Sequence, residues 1–201
     1  MPEAPHLTEL TGDFQCLHEF IAAARAKLDS NIWGYLIGGT ESETTLRRNR
    51  AALDAIALRP RALRDVSKVD AGTTLLGMKL RLPLLLAPVG SLESFDAGGA
   101  ATTGRGATEF GVPIIVSSVT KPGLEETAKA VTGPKIFQLY VRGDDAWVDD
   151  VARRAVDNGY NAFCITVDTA AYSRRERDIA ARFVKPWRTA ATGHNFQASF
   201  S

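Results

Sequence analysis

The sequence predicts a parallel α/β fold, and three observations carry that reading. Four short apolar runs are continuous rather than alternating, which is how strands buried on both faces read. Segments of helical period lie between them, giving the order βαβαβαβ with units long enough for parallel crossovers. The chain of 201 residues is 45% apolar and 23% charged without low-complexity tracts, so it can bury a sizeable core. A doubly wound sheet and a (β/α)8 barrel both produce this order.

Taken along the chain, two helices are predicted ahead of the first strand, at roughly 14–28 and 42–54, separated by WGYLIGGT from Trp33 to Thr40, where Gly38-Gly39 can end a helix or form a turn. The first strand is LPLLLAP, Leu82 to Pro88. A helix at about 98–110 leads to VPIIVS, Val112 to Ser117, and one at about 123–131 leads to KIFQLYV, Lys135 to Val141. In the third, at about 144–158, Trp147, Val148, Val151, Ala152, Ala155 and Val156 recur at helical spacing. Asp144 offers its cap and Asn158-Gly159 its stop. AFCITV, Ala162 to Val167, is the fourth strand. Residues 179–201 show no periodicity and read as a flexible loop, and no internal repeat or domain linker interrupts the chain.

Composition excludes several functions. The formal charge of +1, with bases interleaved among acids, provides no field for nucleic acid, so no nucleic-acid partner is expected. Cys16 and Cys164 are far apart, and Cys164 inside an apolar run reads as a small buried thiol, which fits a reducing compartment. No signal-peptide pattern and no apolar run near 18 residues is present, so a cytoplasmic protein is expected. There is no Walker loop, no H-E-x-x-H and no Cys/His pairing at metal spacing, so no metal site is expected. Gly98, Gly99, Gly104, Gly106 and Gly111 cluster without forming G-x-G-x-x-G, and close helix packing accounts better for Gly104 and Gly106. His6, His18 and His194 all lie away from strand ends, where a general base would stand.

In either architecture the working groups gather at the C-terminal ends of the strands. Those ends are Ala87-Pro88-Val89-Gly90, Ser117-Ser118-Val119-Thr120, Gln138-Leu139-Tyr140 and Thr166-Val167-Asp168. Behind the last comes Arg174-Arg175-Glu176-Arg177-Asp178. It reads equally as a solvated helix start or as a guanidinium delivered to the pocket that Asp168 borders, suited to a two-point grip on a carboxylate.

At this point several motifs, in order, resemble the FMN-dependent α-hydroxy acid oxidase and dehydrogenase family, that of glycolate oxidase, lactate oxidase and mandelate dehydrogenase. They are W-x-Y-x-x-G-G-T-E-x-x-x-T-L-x-x-N from Trp33 to Asn49, LRPRALRDVS from Leu58 to Ser67, LAP at Leu86 to Pro88, Ser117-Ser118, FQLY at Phe137 to Tyr140, TVDT at Thr166 to Thr169, and RRERD at Arg174 to Asp178. The resemblance covers about residues 14 to 185. It implies that the whole of 1–201 is the N-terminal part of one barrel domain, with about four βα units plus leading helices of a (β/α)8 TIM barrel. It also implies FMN as cofactor, held by backbone along Pro88, Val89 and Gly90 and by the side chains of Ser117, Gln138 and Thr166. Tyr35 and Arg175 are implied to grip the substrate carboxylate, Tyr140 to sit beside its hydroxyl, and Asp168 to orient a catalytic histidine. The reaction implied is oxidation of an L-2-hydroxy acid to the 2-oxo acid by hydride transfer to FMN.

Two departures bear on this. Gly90 stands where the family often has alanine, and Val119 where glycolate oxidase-like sequences carry a bulky aromatic, so a hydroxy acid larger than glycolate, such as lactate or mandelate, is expected. The second half of the barrel, with its lysine, base histidine, second arginine and phosphate site, is expected from a second chain, after nicking or splitting in the loop behind the fourth strand. A homo-oligomer, tetramer or octamer, is implied as well. A truncated half-barrel acting as a binding or scaffold protein is the alternative, and an FMN barrel acting on isoprenoid diphosphates or nucleotides is a further one.

Overall fold

The computed structural model describes residues 14–168 and 173–183. These residues divide into two compact units, one formed by 14–57 together with 173–183, the other by 58–168.

The first unit contains α1 (Leu17–Lys27), α2 (Ser30–Ile37), α3 (Thr44–Asp54) and the short α7 (Glu176–Ala180). Helix α2 corrects the expectation of a turn-like separator from Trp33 to Thr40. Asp29 caps it, its Oδ1 accepting from the backbone N–H groups of Asn31 (2.9 Å) and Ile32 (3.0 Å). The helix stops at Gly38, whose N–H donates to the Gly34 carbonyl at 2.9 Å. None of α1 to α3 contains a buried residue. Because α7 runs to Ala180, the first two residues of the loop expected over 179–201 are helical, and residues 184–201 lie outside the described ones.

The second unit is built on a three-stranded parallel sheet in the order β3 (Ile114–Ser117), β4 (Lys135–Tyr140), β5 (Ala162–Thr166). Its crossovers are α5 (Leu124–Ala130) and α6 (Asp145–Asp157), and α4 (Gly99–Phe110) precedes β3. Register pairs Ser117 with Gln138, Gln138 with Cys164, and Tyr140 with Thr166. The period-2 geometry of a strand then separates two faces. Phe137 and Leu139 turn toward the helices, in a core with Val116, Leu124, Trp147, Val151 and Ala155. Burying a side chain of that size contributes roughly 1.5–3 kcal/mol. Ile136 turns the other way and packs on Met78 and Leu80 of a small hairpin, β1 (Thr73–Leu75) and β2 (Met78–Leu80).

Helix boundaries follow the local chemistry. Asp144 caps α6 by accepting from the Trp147 N–H at 2.9 Å, and Asn158-Gly159 end it with Gly159 at φ +72°. In α4, a Cβ on Gly104 would lie 2.3 Å from Val131 Cγ2, so close packing against the end of α5 requires glycine there. Gly106 meets nothing within 4 Å, and the packing account does not extend to it.

Two strand readings are corrected. Leu82 to Pro88 forms no strand but a single parallel bridge, Leu86 to Ile114. Pro83 has no N–H to give a ladder, and the Leu84 N–H turns back to the Leu82 carbonyl at 2.8 Å. Cys164 is exposed rather than buried, because β5 pairs only with β4 among the described residues and lies at the sheet edge.

Candidate active site

The strand ends of the second unit hold most of the residues singled out by sequence. Ser117 closes β3 at 2% exposure, and its Oγ accepts from the Val119 N–H at 3.2 Å. Gln138 lies one strand over, also 2% exposed, and shares a face with Thr166, to whose Oγ1 its Nε2 donates at 2.6 Å. The amide is thereby oriented with Oε1 turned away from Thr166, and that oxygen is buried with no hydrogen-bond partner. Tyr140 ends β4 half-buried, its N–H donating to Ser118 Oγ at 3.2 Å. Asp168, just past β5, is exposed.

Pro88 and Val89 are exposed and Gly90 is half-buried. A Cβ at Gly90 would lie 3.0 Å from Val119 Cγ2, and the Ser91 N–H donates to the Val119 carbonyl at 2.9 Å. This loop is fixed by Glu93, whose carboxylate accepts from the Lys121 N–H at 2.9 Å and from Thr120 Oγ1 at 3.3 Å. Sequence reasoning placed the fully buried Thr120 at a strand end but missed Glu93, since partners 27 and 28 residues apart leave no local signal. At the opposite end of β4, burial pushes the Lys135 ammonium down from its ordinary value. Its Nζ donates to the Val131 carbonyl at 3.0 Å, which makes it a cap for α5.

Tyr35 and Arg175 belong to the first unit, and the structure brings them together. The Arg175 guanidinium carbon lies 4.7 Å from the centroid of the Tyr35 ring. Its Nη2 donates to the carbonyl oxygens of Tyr35 and Gly38, the latter at 2.7 Å. Arg175 Nε lies 3.3 Å from Asp178 Oδ2. The charged run is a helix start with two characters: Arg174, Glu176 and Arg177 are exposed, whereas Arg175 is half-buried and Asp178 is buried at 7% exposure. Beside it Arg177 pairs with both carboxylate oxygens of Glu43, Nη2 to Oε2 at 2.8 Å. That hydrogen bond, followed by one from the Gly39 N–H, holds Glu43 well below the ordinary range, at about 2. Glu43 lies 134 residues from Arg177 and carried no sequence signal, whereas Asp178 stood at i+3 from Arg175 on a helical start. Among the described residues no group of three or more His, Cys, Asp or Glu could hold a metal, and no helix is long and apolar enough to cross a membrane.

A parallel sheet with buried hydroxyl and amide side chains at its C-terminal edge places polar groups where α/β folds bind ligands. A model of the FMN-dependent dehydrogenase family matches residues 24–199, and the chain belongs to that family. Glycolate oxidase 5 of Oryza sativa subsp. japonica is 40% identical over 175 residues, covering 87% of this chain and 47% of the relative. Glycolate oxidase of Spinacia oleracea is 38% identical over 170 residues, 85% of this chain and 46% of the relative. A solved structure of mandelate oxidase with benzoyl-formic acid matches with a TM-score of 0.84 at 34% identity, over 92% of this chain and 54% of that one. A soluble mutant of the membrane-associated (S)-mandelate dehydrogenase from Pseudomonas putida matches at 0.80 and 30% identity, over 88% and 50%. The chain thus spans about half the length of the relatives it matches, and its fold is that part of a TIM barrel.

FMN is the cofactor of the family, and the residues present fit it. Gln138 Oε1 is a buried acceptor still to be satisfied. An unpaired buried acceptor costs roughly 1–3 kcal/mol, which a ring N–H donor would recover.

Proposed function

We propose that this chain forms the flavin- and substrate-binding half of an enzyme that oxidises an L-2-hydroxy acid to the 2-oxo acid. The unsatisfied Oε1 of Gln138, fixed by Thr166 in a wall of buried polar side chains, is the observation that carries the reading. Gln138, Thr166 and Ser117 would hold the flavin ring through side chains, and Pro88, Val89 and Gly90 through backbone. FMN, when bound, supplies the acceptor for the hydrogen and electron pair leaving Cα of the substrate.

The protein's own residues fix geometry and charge around that transfer. Arg175, stacked on Tyr35, anchors the substrate carboxylate, which holds Cα in place. Tyr140 stands beside the hydroxyl. Asp168 orients the base that takes the hydroxyl proton, a histidine from the second half of the barrel, which completes the site either as a separate chain or as continuous polypeptide. The small pair Gly90 and Val119 supports a substrate larger than glycolate, because neither fills the space an aromatic would take. We further propose that the completed enzyme assembles as a homo-oligomer.

The test is made on protein containing both barrel halves. Bound FMN is quantified, and 2-oxo acid formation is followed with glycolate, lactate and mandelate. FMN at one per barrel and turnover increasing toward mandelate are expected. Gln138→Leu should weaken FMN binding by about 10- to 100-fold, the loss of one buried hydrogen bond at roughly 1.5–3 kcal/mol. Complete barrels that bind no FMN, or that leave all three acids unoxidised, would overturn the reading.

A further inference from the structure

Arg175 is held on two sides, by hydrogen bonds on one and by an ion pair on the other. Nη2 donates to two carbonyls at the end of α2, those of Tyr35 and Gly38, and Nε faces the buried Asp178 carboxylate at 3.3 Å. Gly38 is part of this arrangement, since a Cβ there would lie 3.3 Å from Arg175 Nη2 and 2.7 Å from the Gly34 carbonyl oxygen. Among the described residues Nη1 has no partner. Both two-nitrogen grips that a guanidinium can offer, through Nη1 and Nη2 or through Nε and Nη2, draw on Nη2, whose two hydrogens already go to the carbonyls of Tyr35 and Gly38. We infer that Asp178, together with the carbonyls of Tyr35 and Gly38, is a positioning group that commits Arg175 to present Nη1 alone to the substrate carboxylate. This rests on the assignment of Arg175 to substrate binding made above. The two-point grip expected from the sequence gives way to a single oriented contact, and the second carboxylate oxygen is left to another donor.

The inference has a sign that separates it from simple charge balance. If Asp178 only neutralised Arg175, removing its charge would strengthen the field felt by an anion and tighten carboxylate binding. If Asp178 orients the guanidinium, its removal frees the side chain to rotate and weakens binding. The experiment uses enzyme with both barrel halves and FMN bound, and titrates benzoylformate, a 2-oxo acid, by the perturbation of flavin absorbance. Asp178→Asn is expected to raise the Kd for benzoylformate and the KM for substrate about tenfold, through loss of the ion pair that orients the guanidinium, with kcat within about twofold. FMN content should be unchanged. In an Arg175→Met background the same substitution should have no further effect on Kd. Unchanged or tighter benzoylformate binding in Asp178→Asn, while Arg175→Met weakens it, would overturn the positioning role and leave the substrate assignment intact. Unchanged binding in Arg175→Met would overturn the assignment itself. Should Asp178→Asn not fold, Asp178→Glu decides: its carboxylate sits one methylene further out, so weaker binding at full FMN content supports the inference and unchanged binding overturns it.

Discussion

Glu43 has the most perturbed carboxylate in the first unit, and its partner lies 134 residues away. Its folded pKa of about 2 lies below the ordinary 4.5, so the ionised side chain stabilises the native state fully above about pH 4.5, and that contribution is lost as pH falls toward 2. Glu43→Gln should therefore lower the thermal midpoint at pH 7, with the gap to wild type closing between pH 4.5 and 2 and shrinking in high salt. Thermal melts across that range check it, and a gap independent of pH would contradict the pairing. At this scale the sequence was partly legible. Gln138 and Arg175 could be singled out because strand ends and a charged run mark them. What they bind within the protein could not, because the carbonyls that occupy Arg175 are backbone atoms of α2, which carry no residue-type signal.

The elements were legible where local and tertiary preferences agree. Strands β3, β4 and β5 and helices α4, α5 and α6 lie within a few residues of their predicted spans, because each is a continuous apolar run or a capped amphipathic segment. Helix α2 was hidden by Gly34 and by its aromatic and β-branched residues, although the Asp29 cap announced it. The β1–β2 hairpin was hidden because Leu76, at φ +49°, occupies the turn position ahead of Gly77, at φ +77°, where asparagine or aspartate would have signalled it. Helix α4 yields a paired test. Gly104→Ala brings a methyl to 2.3 Å from Val131 and should destabilise by about 1–3 kcal/mol, whereas Gly106→Ala, with open space around it, should stabilise by roughly 0.5–1 kcal/mol. Urea unfolding of both variants checks the opposite signs.

In the whole molecule, apolar side chains stand exposed around the sheet edge. Ile165 and Val167 around the edge strand are 47% and 88% exposed, and Leu58, Leu63, Val66 and Val69 stand out in the stretch that leads to the hairpin. An edge strand of this kind offers unpaired backbone groups to a partner. When the second barrel half is present, β5 amides should gain hydrogen-exchange protection while β4, already paired on both sides, changes little. Equal protection of β5 with and without that half would count against barrel completion at this edge. The links of Arg175 to Tyr35 and Gly38 also set an order of events during synthesis. Helices α1 to α3 emerge early with nothing buried among them, yet the side chain that ties down α2 follows 140 residues after Tyr35. At translation rates of about 5–20 residues per second, α2 waits roughly 7–28 s for the guanidinium that ties down its end.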